Sequence, residues 1–111
     1  MKDDQVYLKH IQDAIGRLET YTADGRKAFR KSPLIQDGVI RNLEVIGEAV
    51  KHLSADLKKR HPTIPWRSIT ALRNVLIHEY FGTDVELVWR TVKNDLPVFK
   101  RHIEEILSGV Q

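Results

Sequence analysis

The sequence predicts an all-α fold, an up-and-down bundle of four main helices with short helices between them. Apolar side chains recur at steps of three and four residues through most of the chain, which is the helical period. No segment alternates apolar and polar residues in the manner of a half-buried strand. Glycines and prolines interrupt the helical pattern at Gly25, Pro33, Pro62, Pro65 and Pro97. These positions are where we expect helices to begin, end or bend.

Two apolar stripes define the first two main helices. The first stripe contains Tyr7, Ile11, Ala14, Ile15, Leu18 and Tyr21, and the second contains Ile35, Val39, Leu43, Ile46, Val50 and Leu53. Gly25 predicts a turn after the first helix, and Ser32 followed by Pro33 matches an N-cap with proline at the first helical position. Gly47 costs a helix about 1 kcal/mol relative to Ala, so we expect it to permit close approach of another backbone.

The second half of the chain contains the connector and the third main helix. Ser54 is the predicted cap of a short helix, and the connector HPTIPW follows, because two prolines three residues apart cannot continue a helix. We expect the third main helix to run from about Trp66 to Tyr80 and to end near Gly82. Asp84 is the predicted cap of the segment that follows.

The last segment carries an apolar stripe that contains a proline. The stripe consists of Val85, Val88, Trp89, Val92, Leu96, Phe99, Ile103, Ile106 and Leu107. Pro97 lies within it and cannot donate the backbone hydrogen bond of a regular helix. Either the helix kinks there, or a new helix begins with Asn94 or Asp95 as its cap.

Composition limits the kinds of protein that the chain can be. Its 111 residues suit a single domain over 1–111, and the absence of cysteine excludes disulfides, thiolate zinc sites and cysteine nucleophiles. The net charge of +3 permits an anionic partner such as RNA without requiring one. The N-terminus lacks the apolar run of a secretory signal, and no apolar run approaches the ~20 residues of a membrane span. We therefore expect a cytoplasmic protein that does not enter membranes.

Several polar and aromatic groups have simple structural explanations. Glu48 and His52 share a helix face and could bind a metal, but no third ligand has diagnostic spacing, which favours a solvated face. The basic run 58–61 suits a helix C-terminus, with a secondary role in contacting phosphates left open. Trp66 and Trp89 are predicted core anchors. A Gly-rich phosphate loop and a GxSxG elbow are both absent from the sequence, which argues against nucleotide hydrolases and serine esterases.

The segment ALRNVLIHEYFG, residues 71–82, combines an apolar helix with reactive side chains. Asn74 and His78 share one stripe, and Arg73 and Tyr80 share an adjoining one, because each residue turns a helix by about 100°. Apolar neighbours would partly desolvate this cluster and strengthen contact of Arg with phosphate. His as proton donor or acceptor and Arg as phosphate clamp could together cleave RNA without a metal, by driving the ribose 2′-OH onto the adjacent phosphate. The spacing alone fits structural hydrogen bonding as well.

The extended segment ALRNVLIHEYFGTDVELVW resembles the signature of the HepT-like toxins, a branch of the HEPN superfamily. Their hallmark is Arg, four residues, His, one residue and Tyr, which corresponds here to Arg73, His78 and Tyr80. The polar residue that follows the Arg in HEPN ribonucleases is present as Asn74. Further segments resemble the family in the expected order, namely YLKHIQDAI, VIRNLEVIGEAVKHLS, HPTIPWRSI and NDLPVFKRHIEEIL. The resemblance therefore covers nearly the whole chain.

This resemblance implies a HEPN-like helical homodimer in which the motif helices of two protomers face each other across a composite cleft. It implies a metal-independent endoribonuclease, the toxin of a toxin–antitoxin pair, that needs no cofactor. Arg73 would bind the scissile phosphate, His78 would transfer protons and Asn74 would orient the substrate or His78. The implied partner is an MNT-type nucleotidyltransferase, an antitoxin that transfers AMP onto Tyr80.

Two other hypotheses fit the same residues. One is a non-catalytic helical module that binds a nucleotidyltransferase partner or a nucleotide. The other is a dimerisation bundle in which Arg73 and His78 hold the interface through hydrogen bonds. The three hypotheses differ in whether the purified protein cleaves RNA and whether Arg73 is needed for dimerisation.

Overall fold

The protein is built from helices, which confirms the all-α prediction. The computed structural model describes residues 2–78 and 84–109, with only the backbone at residues 2 and 73–78. In chain order the helices are α1 Lys2–Tyr21, α2 Arg26–Lys31, α3 Pro33–His52, α4 Ala55–Arg60, α5 Trp66–His78, α6 Val85–Arg90 and α7 Leu96–Leu107, with a π-helical segment Thr91–Asp95 between the last two. Within the described ranges there is no strand, and the four longest helices are α1, α3, α5 and α7.

Helix α3 is central, because α1 and α5 both pack against it and α7 packs against α1. The predicted stripes of α1 and α3 supply much of the core, since Ile11, Ala14, Ile15, Leu18, Val39, Leu43, Ile46, Val50 and Leu53 are all buried. Two residues of α1 differ from the prediction. Leu8 is buried although it was not assigned to the stripe, and Tyr21 remains 40% exposed. Tyr21 lies instead over Gly38 of α3, where a Cβ atom would lie 3.1 Å from the Tyr21 Cε2 atom.

The predicted caps are present at the helix N-termini. The Ser32 hydroxyl accepts a hydrogen bond from the Ile35 N–H at 3.1 Å, and Pro33 occupies the first turn of α3. Ser54 caps α4 in the same way, and the Asp84 carboxylate accepts from the first turn of α6. Gly25 has φ +93°, a left-handed conformation that Gly adopts at little cost, so it ends the turn after α1 as predicted. These caps satisfy backbone N–H groups that a helix leaves without partners.

The structure accommodates Pro97 by widening the helix before it. The five π-helical residues 91–95 join α6 to α7, and the backbone stays in the right-handed helical region through Leu96. Asp95 directly precedes α7, as one alternative predicted, but its side chain makes no capping hydrogen bond. The wider turn relieves the clash between a proline ring and the carbonyl four residues earlier.

In the described ranges, no helix is both long enough and apolar enough to span a membrane.

Candidate active site

The motif helix α5 is anchored at its first residue, Trp66. This side chain is only 8% exposed, and its Nε1 donates a hydrogen bond to the His61 carbonyl at 3.0 Å. Its ring meets Phe99 of α7 edge-on, with the centroids 6.2 Å apart. Trp89 is equally buried and lies 5.3 Å from the Phe29 ring. Both tryptophans are therefore core anchors, as predicted, and not exposed platforms for nucleobases.

The connector before α5 folds as a tight turn that leads directly into the helix. The Ile64 N–H donates to the His61 carbonyl at 3.3 Å, and the Ile64 side chain is buried. The Ile69 N–H then donates to the Pro65 carbonyl at 3.1 Å, which is the first hydrogen bond of the helical ladder. Pro65 suits this position because Pro lacks a backbone N–H, and the N–H groups at the start of a helix have no partner within the helix.

One side of α5 packs inward, and the opposite side faces solvent. Ile69 and Leu72 are half-buried against the core. Arg67 and Ala71 are exposed. Positions 74 and 78 share one line of the helix backbone with Arg67 and Ala71, because the steps from 67 are four, three and four residues.

Position 73 lies on a different stripe of the same helix. It follows Trp66 by seven residues and Ile69 by four, so its backbone position shares a line along the helix with those two residues. The structure thus brings Arg73 and His78 onto one helix, in its C-terminal half, but on divergent stripes.

The side-chain geometry of the predicted site lies outside the described residues. Arg73, Asn74 and His78 lie in α5, where the structure gives their backbone alone. Tyr80 falls outside the described residues, and so does Gly82, the predicted C-cap. The roles of these residues therefore stay predictions.

An apolar cleft adjoins α5 where the helix meets α3 and α7. Its volume is about 330 Å³, and its walls include Leu43, Ile46, Ile69, Leu72 and Phe99. The apolar stripes predict Leu43, Ile46 and Phe99 as core residues, and nothing in the sequence indicates that they line an open cleft. The cleft depends on the angle between three helices, and local periodicity does not contain that angle.

A second, polar cleft of about 260 Å³ surrounds Glu48 and His52 on α3. The His52 Nε2 lies 3.2 Å from the Glu48 Oε1, and both side chains are between two-fifths and one-half exposed. Tyr7 of α1 stacks on His52 with the ring centroids 5.2 Å apart. The predicted solvated face is thus a cleft wall shared by α1 and α3. In the described ranges, no three His, Cys, Asp or Glu side chains are grouped closely enough to hold a metal ion.

The all-α bundle, in which the main helix α5 carries Arg73 and His78, is consistent with a HEPN-type protein. More narrowly, the model of the family described as "Ribonuclease HepT-like" matches residues 11–106. The chain therefore belongs to the HepT-like ribonuclease family. This confirms the resemblance that the motif and its flanking segments indicate.

Curated relatives agree with this assignment. The chain is 44% identical over 101 residues to a protein of Thermococcus cleftensis named "Probable ribonuclease HepT", covering 90% of this chain and 92% of that protein. It is 36% identical over 109 residues to a protein of Caldanaerobacter subterraneus named as a candidate RNase, with 97% of each covered.

A third relative is longer than this chain. It is a protein of Methanocaldococcus jannaschii named as a gamma-glutamylcyclotransferase and candidate RNase, 41% identical over 108 residues. The match covers 96% of this chain and 49% of that protein, so the chain spans about half of its length. No solved structure gives a significant match.

Proposed function

We propose that this protein is an endoribonuclease, the toxin of a toxin–antitoxin pair, and that it cleaves RNA without a metal ion. The observation that carries the proposal is its membership of the HepT-like ribonuclease family together with Arg73, His78 and Tyr80 at the family spacing. The relatives named as ribonucleases support the same reaction class. The net charge of +3 is compatible with a polyanionic substrate.

The proposed reaction needs one proton-transfer group and one phosphate clamp. His78 accepts the proton of a ribose 2′-OH, the 2′-oxygen forms a bond to the adjacent phosphorus, and the bond from phosphorus to the 5′-oxygen breaks. The leaving 5′-oxygen takes a proton from water, and protonated His78 returns its proton to the solvent, so the products are a 2′,3′-cyclic phosphate and a 5′-hydroxyl. Arg73 binds the scissile phosphate and stabilises the charge that develops on it. Asn74 orients the substrate or His78.

A homodimer would complete this site. Positions 73 and 78 lie on divergent stripes of α5, so one helix by itself splits the two functional groups. A second copy facing the first would offer the complementary stripe across a shared cleft. The apolar cleft beside α5 and the 44% exposed Val98 near it supply surface that association would bury.

Regulation by a nucleotidyltransferase antitoxin fits the position of Tyr80, two residues after His78. AMP on the Tyr80 hydroxyl would place a bulky anion beside the catalytic groups. Its phosphate would repel the phosphates of RNA, and its bulk would block entry to the cleft. The antitoxin would thus inactivate the enzyme without unfolding it.

The decisive experiment compares His78→Ala with the parent protein and with His10→Ala, a substitution of an exposed histidine on α1. We expect His78→Ala to lose RNA cleavage and growth inhibition while it keeps the helical circular dichroism of the parent. His10→Ala should retain both activities. If purified His78→Ala cleaves RNA as fast as the parent, the catalytic assignment is wrong. A parent that binds a nucleotidyltransferase tightly but cleaves no RNA would favour the non-catalytic module.

A further inference from the structure

A third cleft lies at the other end of α5, where the helix begins. Its volume is about 480 Å³. Lys58 of α4 and Arg67 and Thr70 of α5 line it, with Ile64 and Trp66 at its base. The basic run 58–61, for which the sequence left a role in contacting phosphates open, thus contributes Lys58 to a concave surface next to the motif helix.

The cleft is electrostatically suited to an anion. Among the described residues no carboxylate lines it, and neither Lys58 nor Arg67 forms an ion pair there. The neighbouring Arg60, by contrast, pairs with Asp56 at 3.3 Å. Lys58 is half-buried and Arg67 is exposed. Two cations that line one cleft without a counterion attract an anionic group from solution.

The placement of Arg67 connects this cleft to the proposed active site. Arg67 is exposed, and its backbone position shares one line along α5 with positions 74 and 78. At a rise of 1.5 Å per residue, position 67 lies about 10 Å along the axis from position 74 and about 16 Å from position 78. A strand of RNA whose scissile phosphate lies beside positions 73 and 78 would reach Arg67 and Lys58 by extending along α5 toward its first turn.

We propose that Lys58 and Arg67 form an accessory phosphate-binding subsite for single-stranded RNA, which holds a backbone phosphate remote from the one that is cleaved. The identification of the ligand as RNA rests on the proposed function. The guanidinium of Arg67 binds phosphate oxygens in a forked geometry, and Lys58 adds a point charge. Thr70 already donates its hydroxyl proton to the Trp66 carbonyl at 3.1 Å. The two cations therefore provide the recognition, which is independent of base sequence.

The test measures RNA binding as a function of salt, because each phosphate contact releases counterions. The probe is a fluorescent single-stranded oligouridine of about 12 nucleotides, long enough to span a typical single-strand site. All variants carry His78→Ala so that the probe stays intact. The double variant Lys58→Gln, Arg67→Gln should weaken the salt dependence of binding. The magnitude of the slope of log affinity against log salt concentration should fall by about 1.4, at about 0.7 per removed charge. By the same relation, affinity at 0.1 M salt should fall by roughly 25-fold.

Two controls separate the subsite from general charge and from folding. Lys9→Gln removes an exposed cation of α1, which packs against α3 and α7, and should leave the slope unchanged. Exchanging the two cations, Lys58→Arg with Arg67→Lys, should keep the slope of the parent.

Each outcome tests the subsite separately from cleavage. A Lys58→Gln, Arg67→Gln protein with the slope of the parent overturns the subsite, whatever happens to cleavage. Cleavage that persists in His78→Ala overturns the catalytic assignment. The subsite is then tested by measuring the same salt dependence of binding on a 2′-deoxy probe, which cannot be cleaved. A parent that does not bind the oligouridine overturns the subsite outright.

Discussion

The Asp4 carboxylate accepts two hydrogen bonds from Ser54, one from the backbone N–H at 2.8 Å and one from the hydroxyl at 2.6 Å. Asp4 is only 4% exposed, although it lies in the first turn of α1. The Ser54 hydroxyl oxygen also accepts a hydrogen bond from the Leu57 N–H at 3.1 Å. A single carboxylate therefore joins the start of α1 to the start of α4, and α4 carries Lys58.

Asp4→Asn should destabilise the protein, because an amide nitrogen cannot accept one of the two hydrogen bonds from Ser54. The expected loss is about 1–3 kcal/mol in the free energy of unfolding, the usual cost of a buried polar group without its partner. Urea unfolding followed by circular dichroism measures it. Asp3→Asn is the matched control, since Asp3 is exposed, and it should change stability by less than about 0.5 kcal/mol. Equal effects of the two substitutions would contradict this account of Asp4.

Gly16 and Gly38 should respond differently to alanine. A Cβ atom at Gly16 of α1 meets nothing within 4 Å, so Gly16→Ala should stabilise the protein by about 1 kcal/mol through helix propensity. A Cβ atom at Gly38 lies 3.1 Å from the Tyr21 ring, so this contact should cancel part of the gain. Urea unfolding of Gly38→Ala with and without Tyr21→Ala measures the coupling. A coupling energy of zero would show that the ring does not restrict position 38.

Trp66→Phe should weaken the anchor of α5 while keeping an aromatic ring beside Phe99. It removes the hydrogen bond from Nε1 to the His61 carbonyl, at a cost of about 1 kcal/mol. Trp66→Ala also removes the ring and should cost about 3–5 kcal/mol. Thermal and urea unfolding rank the variants. If Trp66→Phe lost as much stability as Trp66→Ala, the hydrogen bond would be more important than the packing.

Arg73→Ala distinguishes catalysis from dimer formation. If Arg73 clamps the scissile phosphate, its loss should slow RNA cleavage by about 10²–10³-fold, as removal of a charge-stabilising group does in other enzymes. The oligomeric state should stay that of the parent. Sedimentation velocity and a cleavage assay on the same sample measure both. Dissociation of a dimeric parent by Arg73→Ala would favour the dimerisation bundle.

Tyr80→Phe tests the proposed switch. Protein produced together with the cognate nucleotidyltransferase should gain mass in increments of AMP, and Tyr80→Phe should not. Tyr21→Phe, at a tyrosine that is 40% exposed, is the control and should be modified like the parent. Intact mass spectrometry measures the mass of all three proteins. Increments of AMP that persist on Tyr80→Phe would place the modification elsewhere.

Local signals predicted most of the helical architecture. Ser32 with Pro33, Ser54 and Asp84 each cap the helix that follows them, because a cap needs only the side chain and the next few N–H groups. The apolar stripes of α1 and α3 likewise follow from the 3.6-residue period. Pro97 was the exception, because the sequence left open whether the helix kinks or a new helix begins. The chain instead forms a π-helical turn before Pro97, and α7 continues from it.

The sequence by itself determined the helices, their caps and the Arg-x4-His-x-Tyr spacing, because each depends on residues close together along the chain. Only the tertiary structure decided which distant residues meet. Asp4 reads as an exposed acid of a first turn, yet it is buried on Ser54, 50 residues later. Lys58 and Arg67 line a shared cleft only because the connector between α4 and α5 brings them to the same surface. Such contacts depend on interhelical angles and turn geometry, which the spacing of residues within one helix does not encode.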